Sequence, residues 1–338
     1  MTGPSAQHSV VREIVDAVAP ILAVGDEKQP STPQLIAALQ QRGGWQMLQP
    51  ARYGGLAVAA DEFISAVWEL AALDASLGWL TAMFNAAADE VGGLPGAVAD
   101  EVWGANTQAL IAPGYRPEGR LAVGGDDLRL TGCWHSVGGA DLADWLLLTA
   151  DDDAGGRYRV LLPREQVSTT PTRNPSGLFG TDICDVTAAD VAVPARRIFE
   201  SGSPMAGAGA AATVVGAADG MWHRHVREIR QRLSASYGGE DVMDRPSSTI
   251  QVARAACDID AAKLQLTETL AGTAEGAAAW QQLQAAARAR EAADELLAAS
   301  RRHALAASDP ITRLWQGTHA CFQLTTQLLH GLSDGLFD

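Results

Sequence analysis

The sequence predicts an α+β protein in three parts: a helical N-terminal domain over residues 1–107, a central β domain, a barrel or sandwich, over 108–203 and a C-terminal helical bundle over 204–338. The hydrophobic period carries this division. Apolar residues recur at helical spacing up to about residue 107, alternate with polar ones through the middle, and return to helical spacing beyond Pro204. Composition is the second observation, because the last third is rich in Ala, which raises helix propensity and lets helix axes approach closely.

Val10, Ile14, Val18 and Ile21 define a first helix, and Ser31-Thr32-Pro33 supplies a cap and a first-turn proline for a second one through Leu39. Gly43-Gly44 ends it. The run Phe63, Val67, Leu70, Leu73 and Leu77 predicts a third helix with a wide apolar face. In the middle, Leu128, Leu130 and Trp134 alternate with Arg129, Thr131 and Cys133, the pattern of a strand with one buried face. Trp145 to Leu148, Tyr158 to Leu162 and Val191 to Val193 are further β runs between Gly, Asp and Pro punctuation. Val215, Ala218, Trp222, Val226, Ile229 and Leu233 then form one helical stripe, which the segments from about 250 to 307 continue. Trp280 and Leu283 keep a partial stripe through the low-complexity tract Gly272 to Ala289, which reads as helix.

With 338 residues, 47% of them hydrophobic, the chain can bury one large core or two to three smaller ones. Lys and Arg number 25 against 40 Asp and Glu, a formal charge of -15, so nucleic acid and anionic membrane surfaces are repelled. The cysteines Cys133, Cys184, Cys257 and Cys321 are widely spaced and have no His at ligand spacing, so they read as reduced, buried small hydrophobes rather than a metal or disulfide framework. The first residues carry no basic segment leading into an apolar run, and the tract Ala206 to Ala218 is too short to span a bilayer, so a soluble cytoplasmic protein is expected.

Five segments, in this order, resemble the acyl-CoA dehydrogenase superfamily. They are Arg52-Tyr53-Gly54-Gly55, Asp74-Ala75-Ser76-Leu77-Gly78-Trp79, the Trp134 to Trp145 segment, Asp190-Val191-Ala192-Val193-Pro194, and Asp309-Pro310-Ile311-Thr312-Arg313-Leu314-Trp315. Leu77-Gly78-Trp79 and the frame Trp134…Ala143-Asp144-Trp145 look most like the oxygenase components of two-component, reduced-flavin-dependent monooxygenases that hydroxylate phenols. The resemblance covers roughly residues 30 to 335. It implies a flavin between the β domain and the C-terminal helices, needing donors at its ring and an apolar wall against water.

On that resemblance Trp134, His135, Ser136, Val137 and Gly138 form the flavin-facing turn. The resembling oxygenases place hydroxyl residues where this chain has Val137 and Gly138, which leaves Ser136 as the adjacent hydroxyl candidate. A one-residue shift on a strand reverses the facing of a side chain. His319, in Trp315-Gln316-Gly317-Thr318-His319, matches the histidine that assists the substrate hydroxyl, and an imidazole can carry a proton either way near neutral pH. The second histidine expected after Gly78-Trp79 is missing, so Asn85 and Phe84 stand as the substrate-side candidates there. The Arg-x-x-Phe-Gly element that often holds the flavin phosphate aligns with Ser234-Ala235-Ser236-Tyr237-Gly238, leaving Arg232 and Arg245 as phosphate partners.

The resemblance therefore implies an oxygenase component that hydroxylates an aromatic or polycyclic substrate with reduced, diffusible FMN and oxygen. FAD and no flavin at all are the alternatives for the cofactor. It also implies a separate flavin reductase and a homodimer or homotetramer. Two other readings remain open. One is a catalytically degenerate binding or partner subunit. The other is an acyl-CoA dehydrogenase using Glu228 as base, since no glutamate follows Glu295 and the usual position falls near Thr325. Arg224 and Arg232 lie four residues to either side of Glu228, the spacing of surface ion pairs. His223 and His225 do not share a helix face, and His8, His303 and His330 have no constellation around them.

Overall fold

The computed structural model describes residues 7–24, 32–124, 127–172, 178, 183–200, 202–235, 245–271, 275–299 and 309–333. Five helices come first: α1 (Gln7–Val24), α2 (Thr32–Gln41), α3 (Ala60–Leu73), α4 (Ala75–Gly92) and α5 (Gly96–Trp103). Seven strands follow: β1 (Ile111–Gly124), β2 (Asp127–Val137), β3 (Trp145–Asp152), β4 (Arg157–Pro163), β5 (Ser168–Pro171), β6 (Cys184–Val193) and β7 (Ile198–Phe199). Four long helices complete the chain: α6 (Pro204–Ala235), α7 (Arg245–Thr269), α8 (Glu275–Ala299) and α9 (Pro310–Ser333).

The single helix expected from Phe63 to Leu77 is two. Asp74 breaks it with an extended backbone (φ -154°, ψ 122°) and caps α4, its carboxylate accepting the Leu77 N–H at 3.1 Å. Burial holds the Asp74 carboxyl above its ordinary range, against the pull of that bond. The break matters because α4 can then run in a new direction through the middle of the molecule, where all but one of its residues from Ala75 to Val91 are buried.

The helices pack mainly on α6, which touches α3, α4, α7, α8 and α9. Its Ala and Gly content explains the close approach: a Cβ at Gly220 would lie 2.1 Å from the Ala72 carbonyl oxygen of α3. Val215 and Ala218 of the expected stripe are fully buried, whereas Trp222, Val226 and Ile229 are half-buried, and the Leu233 side chain lies outside the described ones. In α8, Trp280 is 43% exposed, so the stripe drawn through it and Leu283 is not the buried face; Ala279, Ala285, Ala286 and Ala289 are. Ala packs there because the helices are close, not because the residue is strongly apolar.

The strands form one sheet in the order β5-β6-β2-β1-β3-β4-β7. All its pairings are antiparallel except β1 with β3. The runs at 128–134, 145–148, 158–162 and 191–193 all fall inside strands. Sequence patterning missed β1, whose Pro113, Gly114, Pro117 and Gly119 mask any alternation. It also missed β5. Among the described residues no helix is long and apolar enough to cross a membrane, and no cluster of three or more His, Cys, Asp or Glu could hold a metal ion.

Candidate functional site

The end of β2 does not keep the ladder with β6. Trp134 pairs with Val186, but the next pair is Val137 with Cys184, so His135 and Ser136 stand opposite one residue, Asp185, and form a bulge. Ser136 adopts a left-handed backbone (φ 60°). The two amides freed by the bulge go to carboxylates: His135 N–H donates to Glu118 Oε2 at 2.7 Å and Ser136 N–H to Asp185 Oδ1 at 3.0 Å. His135 Nδ1 lies 3.3 Å from Asp185 Oδ2. The Ser136 amide, helped by the imidazole, holds the Asp185 carboxyl below its usual range. The bulge is the physical reason the register of this turn could not be read from alternation alone: both His135 and Ser136 are exposed, while Trp134 and Val137 are buried.

Trp134 is fully buried and its indole N–H donates to the Thr149 carbonyl at 2.7 Å. After Val137 the chain turns through Gly138 and Gly139. Gly139 has φ +72°, and a Cβ there would lie 2.4 Å from Phe84 Cζ, so only glycine fits between the turn and α4.

Facing this turn is a cleft of about 530 Å³, a volume that includes space open to solvent. The turn gives it Trp134, His135, Ser136, Val137 and Gly138; α4 gives Trp79 and Met83; α9 gives Leu324, Gln327 and Leu328. The remaining wall is Pro113 to Arg116 and Glu118 of β1. Trp79, Met83, Trp134, Val137 and Leu328 are buried and form its apolar surfaces. Arg116, ion-paired with Glu118 at 2.8 Å, and His135 supply exposed charge and polarity.

The β1 wall is irregular and strongly braced. Its pairing with β3 slips between Gly114 and Pro117 and again between Pro117 and Gly119, leaving Tyr115, Arg116 and Glu118 without partners on β3. Behind it lies an ion pair: Arg159 Nε donates to Glu90 Oε2 at 2.9 Å, with side chains 7% and 0% exposed. Arg159 Nη1 donates to the Gly114 carbonyl at 3.0 Å and to Thr149 Oγ1 at 2.6 Å, and Thr149 Oγ1 donates to the same carbonyl at 3.0 Å. Tyr115 O–H donates to Glu90 Oε1 at 3.1 Å, and the Arg159 guanidinium sits 4.4 Å from the centre of the Tyr115 ring. Burial first, and then the Glu90 charge, push the Tyr115 phenol well above its ordinary pKa, with Arg159 opposing. Tyr115 is thus a neutral donor at physiological pH.

The other sequence candidates are dispersed. His319 does not line the cleft. Its Nε2 lies 2.7 Å from Asp294 Oδ1 of α8, and its ring packs on Trp315 at 4.6 Å, while Trp315 Nε1 donates to that same oxygen at 2.7 Å. Five residues separate His319 from Leu324, which at ~100° per residue turns the two side chains about 140° apart on the helix. Asn85 is fully buried and committed to backbone: it accepts from Leu48 N–H at 3.1 Å and donates to Gly44 and Thr81 carbonyls, each at 2.9 Å. Phe84 packs edge-on against Trp45 at 5.3 Å and touches the turn from behind; its neighbour Met83 is the one that lines the cleft. Arg232 lies in α6 and Arg245 begins α7, but their side chains, like Tyr237 and Gly238, lie outside the described parts. Glu228 is absent from the cleft lining, and Arg224 donates to the Leu73 carbonyl at 3.4 Å. Tyr115, Arg116, Glu118 and Gln327 were missed. Leu324, Gln327 and Leu328 do carry a signal, the i, i+3, i+4 spacing of one helix face.

A family profile for the C-terminal domain of acyl-CoA dehydrogenase matches residues 208–325. The oxygenase subunit HsaA of a flavin-dependent monooxygenase from Rhodococcus jostii strain RHA1 is 29% identical over 84% of this chain and 84% of its own. The oxygenase component of an FADH2-dependent resorcinol hydroxylase from Rhizobium sp. is 29% identical over 67% of this chain and 63% of its own. The crystal structure of a 3-HSA hydroxylase from Rhodococcus sp. RHA1 superposes with a TM-score of 0.83 at 27% identity, covering 92% of this chain and 91% of that one. A helical block, a sheet and a helical bundle with a cleft at their meeting point give this chain an acyl-CoA dehydrogenase-like fold, and along most of its length it is similar to flavin-dependent monooxygenase oxygenase subunits.

Proposed function

We propose that this protein is the oxygenase component of a two-component monooxygenase: it takes reduced flavin from a separate reductase and hydroxylates an aromatic or polycyclic substrate with oxygen. One oxygen atom enters the substrate and the other leaves as water, the reduced flavin giving up two electrons and two protons. The observation that carries this reading is the aromatic and aliphatic cleft at the β2 turn, walled by the sheet on one side and by α4 and α9 on the other. Its apolar lining fits a flat, largely apolar ring. Trp134 and Val137 would flank the ring, Gly138 would let its edge approach the backbone, and Trp79, Met83 and Leu328 would exclude water from the opposite side. Bound reduced flavin would supply the electrons and the position at which oxygen reacts. Of the two catalytic candidates, Ser136 lies on the cleft, so the hydroxyl role is assigned to Ser136; Arg232 and Arg245 are assigned to the flavin phosphate.

The cofactor is a reduced flavin. FMN is the sequence expectation, and the Rhizobium relative is named for FADH2, so the two are tested side by side. The substrate is a small aromatic molecule, the protein works in the cytoplasm as a homodimer or homotetramer, and the three sequence domains act as its structural units. A second reading, a binding subunit that has lost the chemistry, is favoured by Val137 at the turn and by the orientation of His319 toward α8. Anaerobic equilibrium binding of reduced FAD and reduced FMN, followed by oxygen and a panel of hydroxylated aromatics, separates these readings. Micromolar or tighter binding of a reduced flavin and oxygen-dependent hydroxylation by the protein alone are expected. Binding without product under all conditions would establish the second reading, and absence of binding of either flavin would sink the first.

A further inference from the structure

Directly behind the cleft the protein buries a full ion pair, although replacing such a pair by apolar residues of similar volume is often neutral or stabilising. Glu90 and Arg159 are therefore poorly explained as stability devices. What they hold is specific: the Gly114 carbonyl, through Arg159 and Thr149, and the Tyr115 hydroxyl and ring, through Glu90 and Arg159. Gly114 is the last residue of β1 paired with β3 before the slip, opposite Leu148, and Tyr115 follows it with no partner on β3 to fix its position. Tyr115 is half-buried, with its hydroxyl turned inward onto Glu90 and the residue itself on the cleft wall.

We propose that Tyr115 is the positioning residue of the cleft, a fixed aromatic panel that keeps water from its inner end, and that Glu90 and Arg159 act through it. This deepens the function proposed above and rests on it for its catalytic meaning. A ring held at both its hydroxyl and its face cannot swing outward, so the apolar residues Trp79 and Trp134 stay dry and an occupant is pressed against them. The phenol takes no proton from substrate, because its own proton is retained on the bond to Glu90.

The test begins without flavin. Acrylamide quenching of tryptophan fluorescence is measured for the wild type, Tyr115→Ala, Tyr115→Phe, Glu90→Gln and Tyr53→Phe. Tyr53→Phe is the control, since Tyr53 also donates to a carboxylate, Asp100, at 2.6 Å but lies off the cleft lining. The quenchable fraction should rise by about two of the nine tryptophans in Tyr115→Ala, less in Glu90→Gln, and return nearly to wild type in Tyr115→Phe, with no change in Tyr53→Phe. The flavin-loaded readout follows: mixed with oxygen, reduced flavin on Tyr115→Ala should release hydrogen peroxide at least tenfold faster than on wild type, with flavin affinity altered less than threefold. Wild-type quenching in Tyr115→Ala, or an equal rise in Tyr53→Phe, would overturn the proposal. So would unchanged peroxide release from a protein that binds flavin. A wild type that binds no flavin would strike the proposed function alone, because the quenching experiment still decides what Tyr115 does.

Discussion

Two polar clusters of similar make-up sit in opposite surroundings. Glu90, Arg159 and Tyr115 combine a carboxylate, a cation and an aromatic ring with side chains 7% and 0% exposed at the ion pair. Asp294, His319 and Trp315 also combine a carboxylate, a basic ring and an aromatic, but His319 and Asp294 are 36% and 44% exposed. The first is shielded from water and fixes the shape of a cleft wall. The second is solvated and ties two helices together at the surface. Burial, more than residue type, decides what each does, because solvent screens the second and leaves the first to interact at nearly full strength.

The sharpest way to break this contrast is to neutralise each carboxylate. Glu90→Gln keeps the shape but leaves the Arg159 guanidinium buried without its counter-charge, and should cost about 3–5 kcal/mol of stability by urea denaturation. A loss under 1 kcal/mol would mean that water reaches the pair. A middle-sized effect is expected in alkali. The Tyr115 phenol is raised in the folded state by burial and by Glu90, so its contribution to stability is fully present below the unfolded tyrosine value of about 10 and is lost as pH rises beyond it. Removing the Glu90 charge takes away one raising influence and leaves Arg159 lowering it. Tyrosinate absorbance near 295 nm should then appear at lower pH in Glu90→Gln than in the wild type, and the difference should vanish when Tyr115→Phe is added. The smallest effect is at the solvated cluster, where Asp294→Asn should cost less than about 1 kcal/mol and become smaller still in high salt.

The architecture was legible because it rests on period. Stripes such as Ile14 and Val18, or Leu128, Leu130 and Trp134, report which face is buried whatever the tertiary context. The turn from Trp134 to Gly138 was legible as a motif, and all five of its residues line the cleft, but the facing of His135 and Ser136 could not be read. That depends on the bulge at His135 and Ser136, and a bulge leaves no trace in alternation. The other wall of the cleft was illegible for a related reason. Pro113, Gly114 and Pro117 suppress any strand signal in β1, and Tyr115 meets Glu90 and Arg159 only through folding, across 25 and 44 residues of chain. His319 illustrates the converse failure: a residue of suitable chemistry on the correct helix, pointing to the wrong side of it.

The helix α4 does more than line the cleft. Trp79 and Met83 in its first half touch the cleft, Glu90 near its end holds Arg159 of β4, and Asp89 beside it accepts a bond from Ser203 Oγ at 2.7 Å. Ser203 in turn accepts the Met205 N–H at 3.0 Å, at the point where the chain leaves the sheet and enters α6. The sheet is therefore bolted to one helix at two places, one of them the only exit of the chain toward the C-terminal bundle. Swinging the sheet aside like a clam shell would require breaking a buried ion pair and a hinge clasp together. Gln327 and Arg116 are exposed polar side chains of the cleft lining, outside both of these fastenings.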